Sequence, residues 1–597
     1  MRISRTSVAL GAIAVILVGA GLPALGQDTP ESLLPPGFGD PVATPTSAPV
    51  PGRPSVPVPS ASATPGGEPG AVPTPLPSAS ATPEAPVPLD PAEIARYDMP
   101  DYARRSLASV GPVGPDGGGL TPRAFGAAEG PYLESLMRRL DVPIASRWLS
   151  IALRRSLVSR LDTPRGVNGA DFAAERAWLL LRMGESVSAR GVVQSVDGID
   201  YTPKLYEMAM QTALATGDPA GLCPVAEGGA TLRRERAWVL AQAMCAGLSG
   251  EPRKAQALIT AARNGGLAKG IDLLLAQKVT GSGASGQQAV TIEWDSVDRL
   301  TAWRYGLATA TGVEIPAPLL ATVSPHVQGW RALSPALTAR QRAGAAEQAA
   351  VRGVFSGAAL VDLYGAIDAE DDSSAAETGV ARDLRSAYTA GDFPGRLAAL
   401  KGLWDGVQTP DARFARLILT ARAAARIPAG TEGADPDRLV AAMLTAGIDR
   451  GAMRWRSSVP VGGDAWAMLA LANPDPARSS WSEVGRYKSA NDANGLKQRL
   501  FFAGMAGLGR LPVDDIERGA RSLEIAIGSE NAWTRAIAGA AQRREPGTVL
   551  LLAAIGMQTP QWRGVPPEAL FHIVTALRTV GLEAEARMIA AEALARL

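Results

Sequence analysis

Three tripeptides, Met183-Gly184-Glu185, Thr216-Gly217-Asp218 and Ser249-Gly250-Glu251, stand 33 residues apart and constrain the fold of this chain more than any other feature. Each closes an apolar stretch of helical length, Ala177 to Met183, Met208 to Ala215 and Val239 to Leu248. A glycine between two helices supplies the left-handed residue that ends the first, and an acidic residue caps the next. Ala189, Leu222 and Ala255 share the spacing and are placed to pack back on the preceding helix. The pattern is that of a helical hairpin repeated. It predicts an all-α fold, an α-solenoid of stacked hairpins. At about 34 residues per hairpin, five hundred residues hold roughly twelve to fifteen of them, in a long curved body with a concave surface.

The period and its small-residue packing resemble tetratricopeptide-like repeats, and Gly581 to Leu594 looks like the second helix of such a unit. That resemblance implies helix pairs whose surface binds peptides, partner proteins or polymers, and it implies no chemistry. From Trp294 to Gln348 the helical pattern continues without the period, so the expectation is a divergent solenoid.

The segment from Asp28 to Pro91 holds nineteen prolines and a single basic residue, Arg53. Proline removes backbone donors, and apolar bulk is too sparse for burial to offset the entropy of ordering. Pro59 to Pro65 recurs as Pro77 to Pro83, a low-complexity expansion. Residues 27–96 are therefore a disordered tether, of polyproline II character and reaching on the order of 100 to 200 Å if stiff. Its composition also resembles mucin stalks and antifreeze glycopeptides, a likeness that stops at the tether.

Residues 1–26 read as a secretory leader. Arg2 and Arg5 precede an apolar run from Val8 to Val18, and Ala24-Leu25-Gly26 places small residues where a signal peptidase reads. The alternative is an uncleaved anchor, since the twenty-one residues between Arg5 and Gln27 carry no charge. Gly19, Gly21 and Pro23 interrupt that helix and favour cleavage. A periplasmic or secreted body over residues 97–597 follows, or one held at the inner membrane by the leader. Membrane contact is expected only in that second case. Abundant Ala, Arg, Gly and Leu with few Lys, Asn and Ile point to a GC-rich bacterial source.

With 59 basic and 58 acidic residues, the chain lacks the electrostatic footprint of a nucleic-acid binder. Its two cysteines, Cys223 and Cys245, fit an oxidising compartment and a disulfide; two unpaired buried thiols are the alternative. If the chain turned at Gly228-Gly229 between two helices, Cys223 would lie about 9 Å and Cys245 about 24 Å from the turn, too far out of level to bond. An extended approach from Cys223, which precedes Pro224, would match the levels, so the expectation is an extended segment pinned to a helix.

Candidate chemistry is sparse. His326 and His572 are the only histidines, too few for a histidine metal cluster or triad. His572 opens an apolar helix and reads as a satisfied packing residue; His326 follows Pro325 and reads as a loop or cap residue. No phosphate-binding glycine loop occurs in a strand-turn-helix setting, so no cofactor is expected. Glu134-Ser135 resembles the start of the catalytic motif of soluble lytic transglycosylases, whose second part is absent here. Asp368, Glu370, Asp371 and Asp372 lack the ligand spacing of a calcium loop and read as a solvated connection. Leu149, Leu153 and Leu157 form an apolar stripe from which Arg147, Arg154 and Arg155 diverge. With Arg138 and Arg139 they make a candidate basic face for anionic lipid or wall polymer, against the blander reading of a solvated outer face. Trp178, Trp238, Trp303, Trp404 and Trp533 read as core wedges. Gly281 to Gly286 marks a soft break near 281–290. The functional expectation is a non-catalytic scaffold or adaptor for a protein or envelope polymer; the competing class is a cell-wall enzyme or its accessory subunit.

Overall fold

The computed structural model describes residues 99–597, apart from 141–142, 233–235, 282–289, 371–375, 476–477 and 493. The leader, the whole of the tether and most of the soft break lie outside the described residues. Among those described there are 27 α-helices and one two-stranded antiparallel ladder, Ser109–Val110 with Leu161–Asp162.

The first half comprises α1 (Gly130–Arg139), α2 (Arg147–Val158), α3 (Gly169–Arg182), α4 (Ser186–Val193), α5 (Pro203–Ala215), α6 (Cys223–Leu232), α7 (Arg236–Leu248), α8 (Pro252–Asn264), α9 (Gly270–Gly281), α10 (Ala302–Ala310), α11 (Ala317–Leu320) and α12 (His326–Leu333). The second comprises α13 (Ala339–Val351), α14 (Gly357–Asp368), α15 (Ala376–Thr389), α16 (Phe393–Asp405), α17 (Pro410–Ala424), α18 (Pro436–Thr445), α19 (Asp449–Met453), α20 (Asp464–Ala472), α21 (Trp481–Val484), α22 (Leu496–Gly507), α23 (Val513–Ser522), α24 (Ala532–Gln542), α25 (Pro546–Gly556), α26 (Pro567–Thr579) and α27 (Glu583–Ala595).

Local sequence explains where these helices begin. Thr202-Pro203, Thr409-Pro410 and Asp435-Pro436 put a capping oxygen before a proline; each cap accepts a bond from the amide three residues on, and proline supplies the preset φ of the first turn. Helix ends are equally explicit. Gly184, Gly217 and Gly250 all adopt positive φ, and the next amide, of Glu185, Asp218 or Glu251, returns to the carbonyl five residues earlier. This closes a Schellman turn. Ala189, Leu222 and Ala255 are buried in the following elements. The acidic residues differ from expectation: Asp218 caps through its side chain, whereas Glu185 and Glu251 do not. Burial against Arg154 and Ser188 draws the Glu185 carboxylate elsewhere, and Glu251 pairs with Lys254.

Sequence-adjacent helices pack as hairpins, α3 on α4, α7 on α8, α15 on α16, α17 on α18 and α24 on α25. The stack also returns on itself. α25 and α27 both pack against α2, α25 reaches α1, and α12 lies on α4. α10 packs on α5 as well as on α9, so helices on either side of the 282–289 stretch share a core. The long body expected from the sequence thus has its two ends in contact. No helix among the described residues is long and apolar enough to cross a membrane.

Candidate binding cleft

Arg147 sits where the ends meet. Its Nε donates to Ala350 O at 2.8 Å and its Nη1 to Thr445 O at 2.9 Å, the closing carbonyls of α13 and α18. Helix C-termini carry partial negative charge and orphan acceptors, so this buried cation is held with no carboxylate among the described residues bonded to its guanidinium. Burial still pushes its pKa down to about 10. From α27, Glu592 accepts bonds from Ser146 Oγ at 2.6 Å and from the amides of Arg147 and Trp148 at 2.8 and 3.2 Å. A carboxylate from the last helix therefore caps the first turn of α2.

This placement overturns the basic outer face. Arg147 is buried; Arg138 bonds Glu175 and Glu134; Arg154 bonds Glu185 and Gly353 O. Arg155 is exposed but reaches Glu585 of α27 and Gly118 O, leaving Arg139 as the exposed member for which no ion pair is found among the described residues. Distant helices cover the side of α2 opposite its leucine stripe.

Cys223 and Cys245 are joined, with Cα atoms 5.4 Å apart. The extended approach is not present: Cys223 is helical and opens α6. α6 runs straight through Gly228-Gly229, where added methyl groups would collide with Tyr206 and Trp238. Each cysteine then lies nine residues from its end of the hairpin, at Leu232 and Arg236, so the two levels match.

Other candidates resolve into structural roles. Glu134 is ion-paired with Arg138, and the Ser135 hydroxyl turns back to Tyr132 O. Asp368 and Glu370 pair with Arg385 and Arg340; Asp371 and Asp372 lie outside the described residues. Among the described residues no cluster of His, Cys, Asp and Glu is arranged to hold a metal. His326 is the buried first residue of α12 rather than a loop residue. His572 packs between Phe571 and Trp533, with Nε2 buried and unbonded rather than satisfied. Trp178, Trp238 and Trp404 are buried; Trp303 and Trp533 pack at the core edge with indole bonds to Asp272 O and Leu552 O.

A cleft of about 1020 Å³ opens beside the closure, between α13, the start of α17, the turn at Trp562–Gly564 and the end of α27. Val351, Leu417 and Trp562 supply apolar wall. Its charged lining is four arginines, Arg352, Arg413, Arg563 and Arg596, against the carboxylates of Glu347 and Asp411. Both carboxylates are already engaged. Glu347 is held by Arg416 Nη2 at 3.2 Å and by the Tyr364 hydroxyl, and Asp411 accepts from Arg596 Nη2 at 2.9 Å. Arg596 also donates to Ala145 O at 2.8 Å and lies 4.7 Å from the centre of the Phe414 ring. Arg352 donates to Pro325 O at 2.7 Å; burial lowers its pKa, Asp411 acts against that, and Arg596 adds to it. Arg413 and Arg563 are exposed, and neither forms an ion pair among the described residues. No sequence signal pointed to this site, because its walls come from four separated stretches.

The fold and cleft define a closed all-α protein of stacked helical hairpins with an arginine-lined opening. Compared with protein-family models, curated proteins and solved structures, the chain matches none.

Proposed function

We propose that this chain is a non-catalytic scaffold or adaptor of the bacterial envelope, exported to the periplasm or beyond, with a divergent tetratricopeptide-like body carried on the proline-rich tether. The observation that carries the binding reading is the state of the cleft carboxylates. Glu347 and Asp411 are each bound to a guanidinium, while Arg413 and Arg563 stand open to solvent. Such a lining offers donors to a partner rather than a free acid and base to a substrate. Secretion rests on the leader, and the envelope on composition and the tether.

The test is crosslinking capture of the tagged protein from its native envelope, with the mature N-terminus sequenced on the same material. A reproducible stoichiometric protein partner and an end near Gln27 are expected. Turnover of wall material that vanishes on changing one acidic residue, with the fold intact, would replace this reading by the enzyme one. An intact Met1 would replace export by anchoring.

A further inference from the structure

We propose that the cleft between α13, α17 and the end of α27 binds a short extended peptide rich in carboxylates. The inference rests on the binding reading above and names its ligand. Four guanidinium groups meet two side-chain carboxylates in the lining. Arg416 from behind the wall already answers Glu347, which leaves the opening more cationic than its lining alone suggests. The N-terminus of the fifteen-residue helix α17 points the same way, since Thr409, Pro410 and Asp411 line the cleft where the helix carries partial positive charge.

The arginines divide by role. Arg596 is saturated by Asp411, Ala145 O and the Phe414 ring and shapes the floor. Arg352 is partly desolvated, with a carbonyl rather than a carboxylate as its bonded partner. Arg413 on α17 and Arg563 on the 562–564 turn are exposed on different walls. Guanidinium forks at these two points suit carboxylates spaced along one chain, because each fork grips a carboxylate through two parallel bonds. Exposed Pro410 and half-buried Ala412, Ala595 and Leu597 in the same lining offer contact to small apolar side chains, which a peptide carries and a uniformly charged polymer does not. The volume exceeds that of a single small anion by far.

The test uses the full chain and fluorescein-labelled octapeptides, one alternating Glu and Ala and one alternating Gln and Ala, read by fluorescence anisotropy. The acidic peptide is expected to saturate the protein, to weaken as salt rises, and to leave the Gln peptide unbound. Arg413→Ala and Arg563→Ala are each expected to weaken binding about tenfold. Arg139→Ala, exposed and outside the cleft, is expected to change nothing, and thermal melts of all three variants should match the parent. Equal binding of the Gln peptide, no saturation by the acidic one, or unaltered binding in both cleft variants overturns the proposal. So does displacement of the assignment to polymer, shown by a phosphate-rich wall polymer binding the cleft while the acidic peptide fails. Repeating the envelope capture with the double variant separates the two claims. A partner retained there, when the parent protein itself fails to bind the acidic peptide, leaves the scaffold reading standing and removes this one, whereas absence of any partner with the parent protein removes the scaffold reading regardless of peptide.

Discussion

Glu185 and His326 belong to the same junction, where the α3–α4 turn meets the start of α12, and burial acts on them in opposite senses. Burial raises the Glu185 carboxyl from 4.5 to about 7, against the pull of Arg154 and Ser188. Burial, with Arg182 and Arg352 adding to it, depresses His326 from 6.5 to about 3. Between pH 4.5 and 7 the unfolded chain ionises Glu185 while the folded chain keeps the proton, so each rise in pH costs stability. Between pH 6.5 and 3 the unfolded chain protonates His326 and the folded chain refuses, so each fall in pH costs stability. Each contribution is on the order of 3 to 5 kcal/mol across its window, and they oppose each other between pH 4.5 and 6.5. Glu185→Gln should therefore lose stability more steeply than the parent on acidification through that window, and His326→Phe should lose less or gain. Urea unfolding at pH 4.5, 5.5 and 6.5 reads the slopes; two variants running parallel to the parent would refute the assignment.

The disulfide belongs to the scale of the element. It ties α6 to α7 across 22 residues of separation, a closure that the chain-entropy model values at about 3 kcal/mol. A Cys223→Ala, Cys245→Ala double variant should exchange the α6 amides faster by roughly two orders of magnitude, while the α2 amides remain as protected as before. Unchanged α6 exchange would mean that Tyr206 and Trp238 hold the hairpin unaided. The turns at Gly184, Gly217 and Gly250 were legible in the sequence because a left-handed helix end has few chemical solutions. Gly228-Gly229 misled for the same reason. A glycine pair reads as a turn, yet here it admits the Tyr206 and Trp238 rings against a continuous helix. Spacing marks where a glycine stands and carries no record of which distant ring needs its missing side chain.

At the scale of the molecule, the same limit explains why the closure and the cleft were invisible. The leucine stripe of α2 identifies one buried face correctly, with Leu149, Leu153 and Leu157 all at 0 % exposure. Periodicity on one helix says nothing about a second layer arriving from α13, α18, α25 and α27, which is what converts Arg147 from a surface charge to a buried strut. Glu592 is the other half of that strut, binding Ser146 and two amides across more than 440 residues of chain. Glu592→Ala would leave those donors buried and unpaired and remove the carboxylate facing Arg596 at 3.5 Å. Breaking a buried charged network of this kind costs about 3 to 5 kcal/mol. Because α27 packs against α2, α18, α20, α22 and α26, that loss is shared by both ends of the stack rather than by one hairpin. Chemical denaturation of the variant should keep a single transition, moved to lower denaturant with its slope unchanged. Two transitions, with only the C-terminal one displaced, would instead mean that the hairpins unfold one by one, as in an open repeat array, and that contact between the ends adds nothing to cooperativity.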